Sequence, residues 1–286
     1  MTMTSGERKT AASVGLGDRR PAYGDARSEN SPRWLLRHTA VLNGRILRRW
    51  SRDPTTLAQT LFVPVAFLVT LNIVLGDGIS QVTGQSALYG SVPLVAIVAA
   101  MSGATVGGIG LMRERDGGLL SRLWVLPVHR AAGVLSRLVA EAVRIVAATA
   151  VLMCAGLALG FRFERGISGA IGWVFVPTVF GVAFSVAVMT IALYSAKTIV
   201  VEGTAVVWGL LMFFSTGFVP LDQYPKSIQP VVEHQPVSYA IEAMRGLSAG
   251  GPVLAPTVAM VLWSGAIIAL CAVPMAIGYR KASMRD

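Results

Sequence analysis

Six stretches of the chain carry no charged residue: 54–76, 78–112, 145–161, 166–196, 203–221 and 246–279. Each supplies an apolar segment near the roughly 20 residues that cross about 30 Å of hydrocarbon as a helix. A bilayer admits little besides helices here, because every backbone N–H and C=O must find its partner inside the protein. The pattern therefore predicts an all-α membrane protein with six transmembrane helices over 54–279. The spans are expected near 56–75, 88–111, 138–159, 171–194, 198–218 and 256–278.

Ahead of the first span, residues 33–53 place Leu35, Leu42, Ile46 and Trp50 near one helical face. Arg37, Arg45, Arg48 and Arg52 fall towards another, which predicts an interfacial amphipathic helix with its arginines at anionic headgroups. The alternative is a soluble helix packed on a partner. Asp53-Pro54 then starts a new element. Residues 1–32, rich in Gly, Ser, Arg and Asp and without a continuous apolar core, read as a disordered cytoplasmic tail, and 280–286 as a second cytoplasmic tail.

Hydrophobic residues make up 53% of the chain and charged ones 14%, a membrane composition that excludes an ordinary soluble domain. The net charge of +10 would suit nucleic acid, but its placement argues otherwise. Residues 1–53 hold eleven Lys/Arg, and with a cytoplasmic N-terminus only Arg162, Arg165, Lys226 and Arg245 fall on the outer side. That is the positive-inside pattern of a multi-pass plasma (inner) membrane protein with both termini cytoplasmic, its surroundings membrane lipids and not nucleic acid. Cys154 and Cys271 lie in expected spans and behave as small apolar groups.

Two segments between spans depart from plain connection. The inner loop RERDGGLLSRLWVLPVHRAAGVLSR (113–137) has a charged start at Arg113, Glu114 and Arg115 and a break at Gly117-Gly118. An apolar cluster of Leu119, Leu120, Leu123, Trp124 and Leu126 comes next, before Pro127. A short amphipathic helix there offers a partner a charged rim and an apolar knob; anchoring at the membrane surface reads equally well. The outer segment 220–251 is interrupted by Pro220, Pro225, Pro230 and Pro236, so no continuous helix passes through it. After Pro236, the positions Val237, Ala240, Ile241, Met244 and Leu247 follow helical spacing, with Glu242 and Arg245 as a pair on another face. Short helices dipping back against the spans fit that pattern.

Inside the spans, Ala99, Gly103 and Gly107 recur every four residues and predict close helix approach. Gly107, Gly108 and Gly110 mimic a dinucleotide loop but follow a membrane helix and not a strand. Glu141 and Arg144, three residues apart near the inner end of the third span, are expected as a buried ion pair that neutralises itself or meets the cytoplasmic loops; the alternative is that they line a proton or substrate path. No GxxxxGK[ST] phosphate loop occurs in the sequence, and His38, His129 and His234 have no metal-ligand spacing. No catalytic group, metal site or cofactor is therefore expected in this chain.

The order of these parts resembles the ABC-2 family of ABC-transporter permeases. The resemblance rests on LNIVLG (71–76), LMRERDGGLLSRLWVLPVHRA (111–131) and HQPVSYAIEAMRG (234–246). Within the family it is similar to the daunorubicin-resistance type of actinobacteria, which includes mycobacterial subunits associated with export of phthiocerol dimycocerosate lipids. The resemblance implies that 113–130 carries a coupling helix seated in an ATPase subunit, through Arg113, Glu114, Arg115, Gly118, Leu119, Leu120, Leu123 and Trp124. It also implies that 220–251 forms extracellular re-entrant helices gating the exit, with Pro220, Pro225, Pro236, Ile241 and Arg245. The implied partners are two nucleotide-binding ATPase subunits, which bind ATP and Mg, and a second, related ABC-2 permease. The function expected is an exporter subunit for a hydrophobic lipid or an amphiphilic drug. The rival, an ion-coupled secondary transporter or membrane-embedded enzyme, needs buried ionisable groups in several spans, and the sequence offers few.

Overall fold

The computed structural model describes residues 31–83, 86–125 and 128–284. The expected disordered tail lies almost wholly outside them, as do Leu126, Pro127 and the side chain of Trp124. Helix α1 (Pro32–Ser51) opens on Pro32, where a missing N–H is no loss, and ends with Arg48 and Arg49 at its carbonyl end. Its expected apolar face packs on another helix of the same chain, α6 below, with Thr39 buried and Leu35, Leu42, Ile46 and Trp50 half-buried.

Asp53 caps the next helix, accepting from the Thr55 N–H at 3.1 Å and from the Thr56 hydroxyl. The first pass is built from α2 (Pro54–Leu57), a π-helical turn over Ala58–Phe62 and α3 (Val63–Thr83). Pro64 explains the turn: it lacks an N–H and its ring would strike the Thr60 carbonyl, so the chain widens before it.

Helices α4 (Leu88–Asp116), α6 (Ala132–Ala158), α7 (Gly166–Tyr194) and α12 (Leu254–Ser283) join this pass to make, among the described residues, five helices long and apolar enough to cross a membrane. Between α4 and α6 lies α5 (Leu119–Val125). α12 continues through Arg280 and Lys281, which the sequence placed in a tail; cations at a helix C-terminus are favourable.

The fifth expected span, 198–218, is built differently. It consists of α8 (Thr198–Glu202) and α9 (Thr204–Phe213), 16 residues and about 24 Å at 1.5 Å per residue, short of hydrocarbon thickness. Its path still follows α4. A Cβ on Gly108 would meet Val201 at 3.1 Å, the Thr204 and Thr105 hydroxyls are 3.1 Å apart, and a Cβ on Gly217 would meet Leu94. The run thus tracks α4 from its Arg-rich end to the opposite end. The helix stops before Ser215, Thr216 and Gly217, residues that favour other backbone conformations.

Helices α10 (Gln229–His234) and α11 (Pro236–Ala249) come next, with Pro230 and Pro236 in their first turns, where proline is tolerated. The expected stripe of α11 is buried: Val237, Ala240, Ile241 and Met244 are at 0% exposure, packed among α4, α7 and α12. α4 is the hub of the whole, with 67% of its apolar window buried against 17% for the first pass and for α12.

Candidate functional site

At the Arg-rich end, the last turn of α4 projects the charged residues expected to contact a partner. The structure divides them. The Glu114 carboxylate sits among three guanidiniums: Arg137 closest, Arg49 at 3.5 Å and Arg45 at 4.0 Å. It therefore ties α1 and α6 to α4. Arg115 is also turned inward, donating from Nη1 to the Ala192 carbonyl at 2.9 Å and the Leu193 carbonyl at 3.1 Å, with Asp116 on its Nε. It satisfies carbonyls at the C-terminus of α7 that a helix end leaves without partners.

Gly117 ends α4 and Gly118, at φ +71°, turns the chain into α5 through a conformation that L side chains rarely adopt. Leu120 is buried beside Leu111, Met112 and Tyr279, and Leu119 and Leu123 are half-buried. What remains outward is Arg113, Arg122 and Val125, the last 82% exposed. Arg113 makes no hydrogen bond or ion pair among the described residues. After α5, the His129 backbone N–H donates to His38 Nδ1 at 3.1 Å, joining the inner loop to α1. Sequence reasoning missed this contact; the partners are 91 positions apart, and although His129 stands within the 111–131 motif, His38 lies outside every motif.

Glu141 and Arg144 lie together in an ion pair. Arg144 Nε donates to Glu141 Oε2 at 3.0 Å, Nη2 bonds Oε1, and Nη2 also reaches the Ala100 carbonyl at 3.3 Å. Both side chains are nearly buried, 7% and 9% exposed. Gly103 on α4 makes this possible, since a Cβ there would overlap the guanidinium. The small-residue stripe of α4 thus admits a side chain at Gly103, while the tight helix approach falls at Gly108, whose Cβ would meet Val188 at 2.8 Å.

At the other end, the non-helical stretch after α9 is held by side chains from the outer segment. Gln235 Nε2 donates to the Phe214 carbonyl and to Ser238 Oγ, which accepts from the Thr216 N–H at 3.4 Å. Arg245 Nη2 donates to the Thr216 carbonyl at 2.8 Å while Nη1 holds Glu242 at 2.9 Å. The Tyr224 hydroxyl lies 3.1 Å from the Phe213 carbonyl and 3.2 Å from that of Ser215, and burial pushes its pKa above the usual phenol value. Of the expected gate residues, Ile241 is fully buried and Arg245 braces the break. Pro220 precedes a single tight turn at Leu221–Gln223, Pro225 is exposed, and Pro236 starts α11. Gln235, Ser238 and Tyr224 were not singled out by the sequence, although Gln235 stands beside Pro236 within the motif.

Comparison with known proteins gives the family of the chain. Over 256 residues the chain is 51% identical to a protein of Mycobacterium tuberculosis named "Probable doxorubicin resistance ABC transporter permease protein DrrC", covering 90% of this chain and 93% of that one. It is 28% identical over 250 residues to "Daunorubicin resistance ABC transporter permease protein DrrB1" of Streptomyces coeruleorubidus, covering 87% and 84%. Residues 37–248, from within α1 almost to the end of α11, match the ABC-2 type transporter model, and the chain belongs to that family.

Proposed function

We propose that the chain is the membrane-spanning permease subunit of an ATP-driven exporter that moves a hydrophobic lipid or an amphiphilic drug out across the plasma membrane. The observation that carries this reading is the inventory of buried charge. Among the described residues, Glu141 and Arg144 are the charged residues buried as a whole and they neutralise each other, while the Arg115 side chain, 7% exposed, is engaged by Asp116 and by the carbonyls at the end of α7. Ion-coupled carriers and membrane enzymes need ionisable groups along a path. A pathway with one self-compensated pair suits apolar cargo and an external energy source. The relatives' names, which speak of doxorubicin and daunorubicin resistance, support an amphiphilic cargo.

Two partner ATPase subunits would bind ATP and Mg and act on α5 through the outward residues Arg122 and Val125. A second, related permease would complete the pathway, and the outer segment around Ile241 and Arg245 would shape its exit. ATP hydrolysis is the test. The purified full chain should hydrolyse none, and adding its cognate ATPase subunits should give hydrolysis and transport that Val125→Glu and Arg122→Glu uncouple. Appreciable hydrolysis by a preparation shown free of ATPase subunits would sink the assignment.

A further inference from the structure

Beside the Glu141–Arg144 pair lies a cavity of about 490 Å³, walled by α1, the start of the first pass, α4, α6 and Met189 of α7. This is within the roughly 300–1,000 Å³ typical of small-molecule sites. Four arginines line it, Arg49, Arg113, Arg137 and Arg144, against two carboxylates, Asp53 and Glu141. Both carboxylates are already engaged: Asp53 caps α2 and Glu141 holds Arg144. Glu114 holds Arg137 and Arg49.

Donors nevertheless remain. A guanidinium carries five N–H groups, and neither Arg113 nor Nη1 of Arg144 has an acceptor among the described residues. The buried indole N–H of Trp50, another wall residue, also lacks one. Arg144 is 9% exposed, so its remaining donors sit in a site shielded from bulk water. The rest of the wall is apolar, with Ile46, Val106, Ile109 and Met189.

A surplus of guanidinium donors beside an apolar wall fits a planar or tetrahedral oxyanion joined to a hydrocarbon chain. We propose that this cavity binds the phosphate-bearing headgroup of an anionic amphiphile, with Arg113 and Arg144 as donors. Binding to the chain alone can be measured without the energy source or the export cycle.

The experiment is native mass spectrometry of the full chain in a non-ionic detergent, with added phosphatidylglycerol, glycerol 3-phosphate or uncharged diacylglycerol. Phosphatidylglycerol should bind and diacylglycerol should not. Arg113→Gln removes donors without disturbing any contact and should weaken binding roughly tenfold, as expected for one charge-assisted hydrogen bond. Gly110 lines the cavity and a Cβ there meets nothing within 4 Å. Gly110→Phe should therefore plug the site, while Gly110→Ala leaves binding intact. Glycerol 3-phosphate displacing the lipid assigns recognition to the phosphate group alone; lipid binding without such competition assigns it to the whole amphiphile. Equal occupancy of phosphatidylglycerol in the wild type and Arg113→Gln, or equal binding of diacylglycerol, overturns the proposal.

Discussion

Replacing Gly103 with alanine tests the buried ion pair from the opposite helix. The added methyl would overlap the Arg144 guanidinium, so that side chain must leave, and the adjoining cavity gives it room. It then loses both bonds to Glu141 and the bond to the Ala100 carbonyl. Removing one partner of a buried pair costs about 3–5 kcal/mol, and a displaced guanidinium that stays nearby places this case at the lower end, about 3 kcal/mol. Alanine's helix propensity offsets roughly 1 kcal/mol, leaving a net cost of about 2 kcal/mol. Gly110, two turns further along the same helix, would carry a Cβ with no neighbouring atom within 4 Å, so Gly110→Ala should stabilise by up to about 1 kcal/mol.

Two chemically identical substitutions in one helix should therefore differ by about 3 kcal/mol, or about 6–12 °C in melting temperature for a chain of this size. Thermal unfolding in detergent, followed by loss of the monodisperse species, reads the difference. In an Arg144→Met background the Gly103→Ala penalty should shrink, because the guanidinium it displaces is gone. If the two alanine variants melt together, or the gap survives in the Arg144→Met background, Gly103 is not there to admit Arg144.

Glu114→Gln should cost about 1–3 kcal/mol by removing the charge that three arginines share, and should raise hydrogen exchange in 32–51 above that of α4; unchanged exchange contradicts the clasp. The Asp53 carboxyl is held below its ordinary 3.8 chiefly by the Thr56 hydroxyl, and also by the Thr55 and Thr56 N–H groups. Its folded value lies below its unfolded one, so its contribution is present above 3.8 and is lost as pH falls through the folded value. Asp53→Asn keeps a cap but does not titrate, so its acid unfolding limb should be flatter there; an identical limb refutes the link. Single cysteines at Lys226 and Glu233, both exposed, in a background with Cys154 and Cys271 replaced, should react with an impermeant thiol reagent on intact cells whose outer envelope admits it. Labelling only after the inner membrane is opened would invert the proposed topology.

Local patterns were the legible part of this molecule. Periodicity identifies the apolar face of α1 and the buried stripe of α11, and spacing identifies Glu141 with Arg144, because both partners lie within one or two helical turns. Periodicity says which face is covered but not by what. It therefore could not pair Glu114 with Arg45 and Arg49, seat Arg115 on the carbonyls of α7, or bring His129 to His38. The same limit explains the residues expected to meet an ATPase: charge in a loop reads as surface, yet Glu114 and Arg115 face the chain's own helices. Hydropathy likewise reads 198–218 as one continuous span, since it is blind to the hydrogen-bonding needs of Ser215, Thr216 and Gly217.

The break after Phe213 has a consequence for how the protein is made. Carbonyls of Phe213, Phe214, Ser215 and Thr216 find their donors on Tyr224, Gln235 and Arg245, all synthesised later. Until those residues emerge from the ribosome, the end of this segment would present open backbone groups to lipid, which hydrocarbon does not tolerate. Such a segment cannot partition into the bilayer on its own as α4 can. It must wait inside the insertion machinery until α11 arrives, and the two then enter as one unit. Damage to Gln235 or Arg245 would on this account surface first as failed biogenesis, with the chain degraded before its activity could be measured.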